Sequence, residues 1–364
     1  MQKILFVDFL SLTQDELGAE LEKLGEPRYR SGQLCSWVYG RRVGEFAGMT
    51  NLPAALREKF SSRFSLRPLM KVRETGSKDT TRKFLFQLED QQLIETVLIP
   101  ASPALYGERA DRRTICISSQ VGCAYGCRFC ASGLDGWKRN LTAGEIVAQF
   151  LAVEEISGEK INNIVFMGMG EPFANYDNLL QAIQIINAPW GLGLGARHIT
   201  VSTSGLVPRI RDFADQPLQI RLAISLHGAT DEVRSRIMPV NRKYPVAELM
   251  EACEYFSARK KQHITFEYIL IQGVNDMPEQ AYELARHARR FQAKINLIPY
   301  NSVEGLEWER PDVPTQERFL GILHDRGASA TLRREKGHDI AAACGQLRLQ
   351  AERKKSFAPE GSVE

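Results

Sequence analysis

The sequence predicts an α/β fold: a partial (β/α)6 barrel preceded by an N-terminal helical accessory domain and a small β extension. From residue 112 onward, short β-branched apolar runs alternate with helical patterns in units of roughly 30 residues. Such alternation is typical of a parallel sheet with helices packed outside it. Six units are too few for a closed eight-stranded barrel, so we predict an open barrel with its chemistry at the C-terminal strand ends.

Changes in the pattern divide the chain into four predicted segments. They are a helical accessory domain (1–66), a β extension with its connection (67–111), the barrel with a C-terminal cysteine segment (112–350) and a flexible tail (351–364). In the first two segments we predict helices near 14–24, 30–40 and 53–60 and strands over 69–72, 83–88 and 93–99. In the barrel the predicted strands are 114–118, 163–167, 198–202, 219–225, 264–271 and 295–299, with helices near 142–156, 176–187, 207–214, 246–259, 278–290 and 315–326.

Composition narrows the class of protein. The chain has 364 residues, 43% hydrophobic and 25% charged, which excludes a disordered or low-complexity protein. No apolar run approaches the ~18 residues of a membrane span, and Asp8 interrupts what would be a signal peptide, so we expect a cytoplasmic protein without a membrane partner. The net charge of +3 favours no partner. The basic segment from Thr331 to Lys355 fits either a solvated helix or a phosphate-facing patch.

Cysteine spacing indicates an inorganic centre. Cys123, Cys127 and Cys130 lie on one glycine-rich loop directly after the first barrel strand, where three thiolates can converge. A structural zinc site needs four ligands, with Cys116 as the available fourth, although the step from Cys116 to Cys123 is not a usual ligand spacing. A four-iron cluster with three cysteines leaves one iron open for another ligand.

A second motif follows the second predicted strand. The turn Gly168-Met169-Gly170-Glu171-Pro172 combines glycines, which let a ligand approach the backbone, with a carboxylate that can accept hydrogen bonds from an ammonium group.

With the cysteine loop after the first barrel strand and the glycine-rich turn after the second, the chain resembles members of the radical S-adenosylmethionine superfamily. These proteins have a partial (β/α)6 barrel and bind S-adenosylmethionine at the open iron. More specifically, the chain resembles the bacterial adenosine C2 methyltransferases of 23S rRNA and tRNA. The matching stretches include 49–53, 116–123, 139–142, 201–205, 224–227, 238–241, 273–276, 298–301 and 342–347.

Two alternatives stay open at this point. A sister group of C8 adenosine methyltransferases, which confer antibiotic resistance, carries alanine after the Gly-Glu pair and cysteine before the cluster glycine, whereas this chain has Pro172 and Val121. From another class, a zinc-knuckle RNA-binding protein would also use the cysteine loop.

The resemblance implies a set of cofactors and cofactor-binding residues. One 4Fe–4S cluster would be held by Cys123, Cys127 and Cys130. S-adenosylmethionine, two molecules per turnover, would be contacted by Gly170, Glu171, Ser202, Ser225, His227 and Asn301. From the residues alone, the two serines could instead bond to backbone, and His227 could be a core histidine.

The resemblance also assigns catalytic residues. The thiolate of Cys344 would accept a methyl group, a 5′-deoxyadenosyl radical would abstract hydrogen from it, and the resulting carbon radical would add to C2. Cys116 would resolve the adduct and leave a disulfide, and Glu95 would accept a proton. Taken singly, either cysteine fits a buried structural thiol, and Glu95 fits either a buried carboxylate of raised pKa or an exposed edge-strand glutamate.

The implied partners are 23S rRNA (adenosine 2503), tRNAs (adenosine 37) and a small reductant protein of the flavodoxin or ferredoxin type. Family analogy implies a monomer. Arg333, Arg334 and Lys336, with Arg41 and Arg42, are candidates for holding RNA phosphates.

Overall fold

The computed structural model describes residues 6–66, 69–101, 111–134, 136–303 and 305–333, together with residues 340, 342 and 346. Its N-terminal part is helical, as predicted. The elements there are strand β1 (Val7–Asp8), helices α1 (Gln14–Lys23), α2 (Arg30–Cys35) and α3 (Ala54–Ser61), and strand β2 (Phe64–Ser65). A wider helical turn, Ser36–Gly40, continues α2, so the helix predicted over 30–40 is confirmed in two pieces.

The β extension consists of three antiparallel strands, β3 (Leu69–Gly76), β4 (Arg82–Leu88) and β5 (Leu93–Pro100). A bulge between Lys71 and Arg73 interrupts the pairing of β3 with β4. The extension is not a separate layer, because β5 pairs with the first barrel strand, β6 (Arg113–Cys116). The sequence did not predict this continuity.

A small antiparallel hairpin follows β6. It is formed by β7 (Gln120–Gly122) and β8 (Trp137–Asn140), and the short helix α4 (Ala131–Leu134) lies between them. The cysteine loop is therefore the connection of a hairpin.

The six predicted βα units are confirmed. After β6, the elements are α5 (Ala143–Ser157), β9 (Asn163–Phe166), α6 (Tyr176–Asn187), β10 (Ile199–Thr203), α7 (Val207–Asp215), β11 (Arg221–Ser225), α8 (Asp231–Ile237), α9 (Val246–Lys260), β12 (Thr265–Leu270), α10 (Pro278–Arg290), β13 (Lys294–Pro299), α11 (Val313–Asp325) and β14 (Ser329–Leu332). The sequence analysis did not predict α8 or the final strand β14. Both are short and carry little apolar periodicity.

Ten strands form one sheet in the described part of the chain, in the order β14-β13-β12-β11-β10-β9-β6-β5-β4-β3. In this sheet β6 and β9 to β14 are parallel, and the extension adds three antiparallel strands at one edge. Since β14 and β3 end the strand order, the barrel is open, as predicted. None of the helices within the described ranges is long and apolar enough to cross a membrane.

The N-terminal segment docks on the first turn of α5. This helix begins with a capping box, in which the Thr142 hydroxyl accepts from the Glu145 amide and Glu145 accepts from the Thr142 amide. Asp8 accepts hydrogen bonds from the Leu10 amide (3.1 Å) and from the hydroxyls of Ser11 (2.7 Å) and Thr142 (3.4 Å). The Ser11 hydroxyl in turn accepts from the Gly144 amide (2.8 Å). The two parts of the chain thus share one helix terminus.

Gly144 leaves the space that Asp8 occupies, since a Cβ at this position would overlap with the Asp8 carboxylate. We expect Gly144→Ala to lower the free energy of unfolding by about 1–3 kcal/mol, because Asp8 would have to give up its hydrogen bonds. Gly321, inside α11, has open space within 4 Å of where a Cβ would lie. Gly321→Ala should therefore raise stability by about 0.5–1 kcal/mol. Urea unfolding of both variants tests this; a Gly144→Ala protein as stable as Gly321→Ala would contradict it.

Candidate active site

One cavity lies at the C-terminal ends of the parallel strands, where the sequence predicts the chemistry. Its wall brings together eight predicted site residues: Cys123, Cys127, Cys130, Gly170, Glu171, Ser202, Ser225 and His227. They come from the cysteine loop and from the ends of β9, β10 and β11. Residues far apart in the sequence therefore converge as the barrel geometry requires.

Backbone hydrogen bonds shape the cysteine loop. The Cys123 amide donates to the Gly136 carbonyl (3.2 Å), the Cys127 amide to the Tyr125 carbonyl (2.7 Å) and the Cys130 amide to the Cys127 carbonyl (3.1 Å). Burial raises the pKa of the Cys123 thiol to about 12 and that of Cys127 well above its usual value, and the neighbouring cysteines add to both effects. The three thiol groups are therefore close enough to interact electrostatically.

The donor set suits an iron–sulfur cluster. In the residues described, no group of three or more His, Cys, Asp or Glu side chains is placed to hold a single metal ion. Each cysteine of a four-iron cluster binds a different iron, so such a cluster needs three thiols around one cavity rather than around one point. The cavity wall has this arrangement.

The glycine-rich turn after β9 packs tightly beneath the loop. A Cβ on Gly168 would lie 2.7 Å from the Ile117 carbonyl oxygen, and one on Gly170 would lie 2.6 Å from Cβ of Gln120. Gly170 also has φ of +101°, which only glycine adopts without strain. Gln120, which the sequence analysis did not single out, accepts through Oε1 from the amides of Glu171 (2.9 Å) and Ala124 (3.2 Å). It thereby joins the turn to the cysteine loop.

Glu171 is a buried carboxylate in the cavity wall. Its Oε1 accepts from the Phe173 amide (3.0 Å) and its Oε2 from the Ser204 amide (2.6 Å). Burial raises the pKa of Glu171, and these hydrogen bonds oppose the shift. A cation bound beside the carboxylate would stabilise its ionised form, so the position suits an ammonium group.

Ser202 and Ser225 meet across the ends of β10 and β11, with their hydroxyl oxygens 3.3 Å apart. His227 lies beyond β11 with φ of +57°, and its Nδ1 accepts from the Ile269 amide (3.1 Å). Burial lowers the pKa of His227 to about 3, with Arg234 adding to the effect. The imidazole is therefore neutral and carries its proton on Nε2, which makes it a hydrogen-bond donor at the cavity wall.

Arg234 is a fully buried arginine that the sequence analysis missed. Its Nε donates to the Leu226 carbonyl (3.1 Å), its Nη1 to Oδ1 of Asn241 (2.8 Å) and its Nη2 to the Ser204 carbonyl. Burial lowers its pKa to about 10. The sequence gives no local signal for it, because an arginine on a short helix is usually exposed.

The sheet register places Cys116 on the cavity face. Cys116 pairs with Val165 of β9, and Val165 pairs with Thr200 of β10. Paired residues share a face and side chains alternate along a strand, so Cys116 has the same face as Ser202. Its side chain is buried. It is not among the described residues that line the cavity.

Glu95 shares this face, two residues before Val97, which pairs with Cys116. It is 4% exposed, and the Lys83 ammonium lies 3.3 Å from its Oε1 in a buried ion pair. Of the two alternatives for Glu95, the exposed edge-strand glutamate is therefore wrong and the buried carboxylate is confirmed, because β4 and β6 flank β5 on both sides. The sequence analysis missed Lys83, since only the strand pairing brings it next to Glu95.

Other predicted residues lie apart from the cavity or outside the described ranges. Asn301 is buried after β13, and its Oδ1 has no hydrogen-bond partner among the described residues, although it is not part of the cavity wall. Cys344, Arg334 and Lys336 lie outside the described residues. Arg42 forms an ion pair with Glu154 (2.7 Å), and Arg41 lies over the Trp37 ring.

Gly170 and Gly193 form a matched pair for testing the turn, since both have positive φ but only Gly170 has close neighbours. Gly193→Ala should cost about 1–2 kcal/mol of folding free energy from backbone strain. Gly170→Ala should cost about 2–5 kcal/mol, because strain and a clash with Gln120 add. Chemical denaturation measures both values. Equal losses in the two variants would show that the packing of Gly170 on Gln120 contributes nothing.

Comparison with known proteins identifies the family of the chain. A model of the radical SAM superfamily matches residues 117–285, and a model of the ribosomal RNA large subunit methyltransferase N-terminal domain matches residues 7–66. A solved structure, a radical SAM methyltransferase from Sphaerobacter thermophilus, superposes with a TM-score of 0.89 at 46% identity and covers 94% of this chain and 99% of that one.

Curated relatives match over nearly the whole length. A protein of Akkermansia muciniphila named probable dual-specificity RNA methyltransferase RlmN is 53% identical over 94% of this chain and 96% of its own length. The corresponding protein of Opitutus terrae, named RlmN 3, is 54% identical over 94% of both chains. With identities this high over both its parts, the chain belongs to the RlmN family of radical S-adenosylmethionine RNA methyltransferases.

Proposed function

We propose that this chain methylates C2 of adenosine 2503 in 23S rRNA and of adenosine 37 in tRNAs. The observation that carries the proposal is the cavity, whose wall combines three cluster-type thiols with a buried carboxylate and the hydroxyls of two strand ends. The names of the relatives, dual-specificity RNA methyltransferases, support RNA as the substrate.

The chemistry of the target atom explains why the proposed reaction needs a cluster and S-adenosylmethionine. C2 of adenine is electron-poor, so a methyl cation equivalent cannot be delivered to it directly, whereas a carbon radical can add. When bound, the cluster supplies an electron and S-adenosylmethionine supplies both the radical and the methyl group. Cys123, Cys127 and Cys130 would hold the cluster. The residues that would hold S-adenosylmethionine are Gly170, Glu171, Ser202, Ser225, His227 and Asn301.

Two cysteines and a glutamate complete the proposed mechanism. Cys344 carries the methyl group as a thioether, and the carbon of this group forms a bond to C2 of the adenine once it has lost a hydrogen atom. The adduct then gives up one electron, which the cluster would take back, and its C2 proton, which Glu95 accepts, so that the ring is aromatic again. The Cys116 thiolate attacks the Cys344 sulfur, an S–S bond forms as the carbon–sulfur bond to the RNA breaks, and the released carbon takes up a proton to become the methyl group. The register supports these roles because Cys116 and Glu95 both lie on the cavity face of the sheet.

The RNA and the reductant are further parts of the proposal. The adenine C2 edge is hidden in stacked RNA, so the base must be extruded into the cavity. The proposed phosphate contacts are Arg41, Arg42, Arg333, Arg334 and Lys336. Of these, Arg42 also forms an ion pair with Glu154. A flavodoxin- or ferredoxin-type protein would supply electrons to a monomeric enzyme. Because its substrates would be 23S rRNA and tRNA, we propose that the enzyme acts in the cytoplasm.

Nucleoside analysis tests the proposed reaction. In a host without its own C2 methyltransferase, expression of the chain should introduce 2-methyladenosine into digested 23S rRNA and tRNA, as measured by mass spectrometry. Cys344→Ala should abolish the product. Cys35→Ala is the matched control, because Cys35 is a buried cysteine of α2 in the N-terminal part and is not in the cavity wall. The appearance of 8-methyladenosine would instead place the chain with the C8 enzymes.

Substitution of Cys116 and of Cys344 should stop the proposed reaction at different steps. Without Cys116, Cys344 can still be methylated and joined to the adenine, but no second sulfur can release the product. Cys116→Ala should therefore migrate with RNA on a denaturing gel, whereas the Cys116→Ala/Cys344→Ala double variant should not. If both thiols are merely structural, each variant would only lose about 1–3 kcal/mol of stability and neither would trap RNA. Methylation at the wild-type rate in either single variant would refute the mechanism.

A further inference from the structure

A second carboxylate, Glu267, lies in the cavity wall and has no role in the proposed mechanism. It is the third residue of β12, between the fully buried Phe266 and Tyr268. The register pairs it with Ser225 of β11 and Asn296 of β13, so the three side chains form a polar row on the cavity face. Glu267 is only 5% exposed.

One carboxylate oxygen of Glu267 is held in place and the other is not. Nδ2 of Asn296 donates to Oε1 (2.9 Å), which fixes the orientation of the side chain. Oε2 is buried and has no hydrogen-bond partner among the described residues. Burial raises the pKa of Glu267, and the charge of Arg333 and the bond from Asn296 oppose the shift. A buried acceptor without a hydrogen bond lowers the stability of the folded protein. A ligand that donates a hydrogen bond to Oε2 would therefore offset this unfavourable desolvation.

The two buried carboxylates of the cavity have different surroundings. Glu171 interacts electrostatically with Cys123 and Cys127 and therefore lies on the side of the cysteine loop. Glu267 has Ser225 beside it, and Ile269, two residues further along β12, faces the same side. The charge of Arg333 and the Asn296 amide already act on Glu267, whereas, among the described residues, Glu171 accepts only from backbone amides and hydroxyls. The Glu171 end therefore suits a cationic group, and the Glu267 end suits a neutral hydrogen-bond donor beside the apolar surface of Ile269.

S-adenosylmethionine likewise has a charged end and a neutral end. Its ammonium and carboxylate groups are at one end, and its ribose, with two hydroxyl donors, and its adenine are at the other. A buried carboxylate is a frequent partner of a nucleoside ribose hydroxyl. We propose that Oε2 of Glu267 accepts a hydrogen bond from a ribose hydroxyl of S-adenosylmethionine, with Asn296 as the positioning residue behind it. This inference rests on the proposed cofactor site.

Ligand analogues test the contact directly. The protein is reconstituted with its cluster without oxygen, and calorimetry gives the Kd of S-adenosylmethionine and of its 2′-deoxy and 3′-deoxy analogues. Wild-type protein should bind one deoxy analogue about 10- to 100-fold more weakly than S-adenosylmethionine, as expected for a hydrogen bond to a charged group. Equal affinity for all three ligands would overturn the proposal without any variant.

Two variants assign the contact to Glu267. Glu267→Gln keeps the shape but places an amide donor where Oε2 lies, and Glu267→Met removes the acceptor. Glu267→Met should weaken S-adenosylmethionine binding by a factor of about 10 to 100 and bind the discriminated analogue as wild type does. Glu267→Gln should weaken binding less, because its amide can still donate to the oxygen of the ribose hydroxyl. Glu145→Gln, a buried glutamate outside the cavity wall, is the matched control and should leave all Kd values unchanged. Iron content and the unfolding midpoint verify that each variant is folded and loaded.

The outcomes distinguish a failure of the Glu267 contact from a failure of the cofactor site. If the variants weaken all three ligands by the same factor, or none of them, Glu267 does not contact the ribose and this inference is wrong. If cluster-loaded wild-type protein does not bind S-adenosylmethionine at all, the proposed cofactor site itself fails.

Discussion

The arrangement of the site depends on one buried guanidinium. Arg234 donates to the carbonyl of Ser204 after β10, to the carbonyl of Leu226 after β11 and to the side chain of Asn241. Two strand ends and the segment after α8 are therefore fixed relative to one another by a single planar group. Removing one partner of such a buried charged network costs about 3–5 kcal/mol in comparable cases, because the remaining groups stay desolvated.

The network reaches the cavity through the Ser204 peptide group. Its carbonyl accepts from Arg234, and its amide donates to Glu171, so a positive and a negative side chain are joined through one residue's backbone. Gln120 has a similar function on the other side of Glu171, where it joins the glycine-rich turn to the cysteine loop. The Glu171 carboxylate is thus held by hydrogen bonds from backbone amides, and the buried side chains of Gln120 and Arg234 fix the backbone segments that supply them.

Local patterns in the sequence predicted the elements and motifs that depend on neighbouring residues. The six βα units, the three strands of the extension, the cysteine loop and the turn containing Glu171 are of this kind. The sequence could not predict features that arise from long-range pairing. The joining of β5 to β6, the ion pair between Lys83 and Glu95 and the burial of Arg234 each require strands or helices that are distant along the chain. The only sequence signal for Glu267 is a single charged residue within an apolar strand. Such a residue could equally lie on a solvent-exposed face of the sheet.

Within the described part of the chain, β3 is the outermost strand at one end of the sheet, which bears on how copies of this protein interact with one another. An unpaired edge strand is a template on which a second molecule can add its own strand. Here Met70 and Val72 are exposed on that edge, but Lys71 and Arg73 flank the bulge between them and present charge along the same stretch. A bulged and charged edge is unfavourable for the addition of a second strand, so this edge of the sheet is a poor template for open-ended self-association.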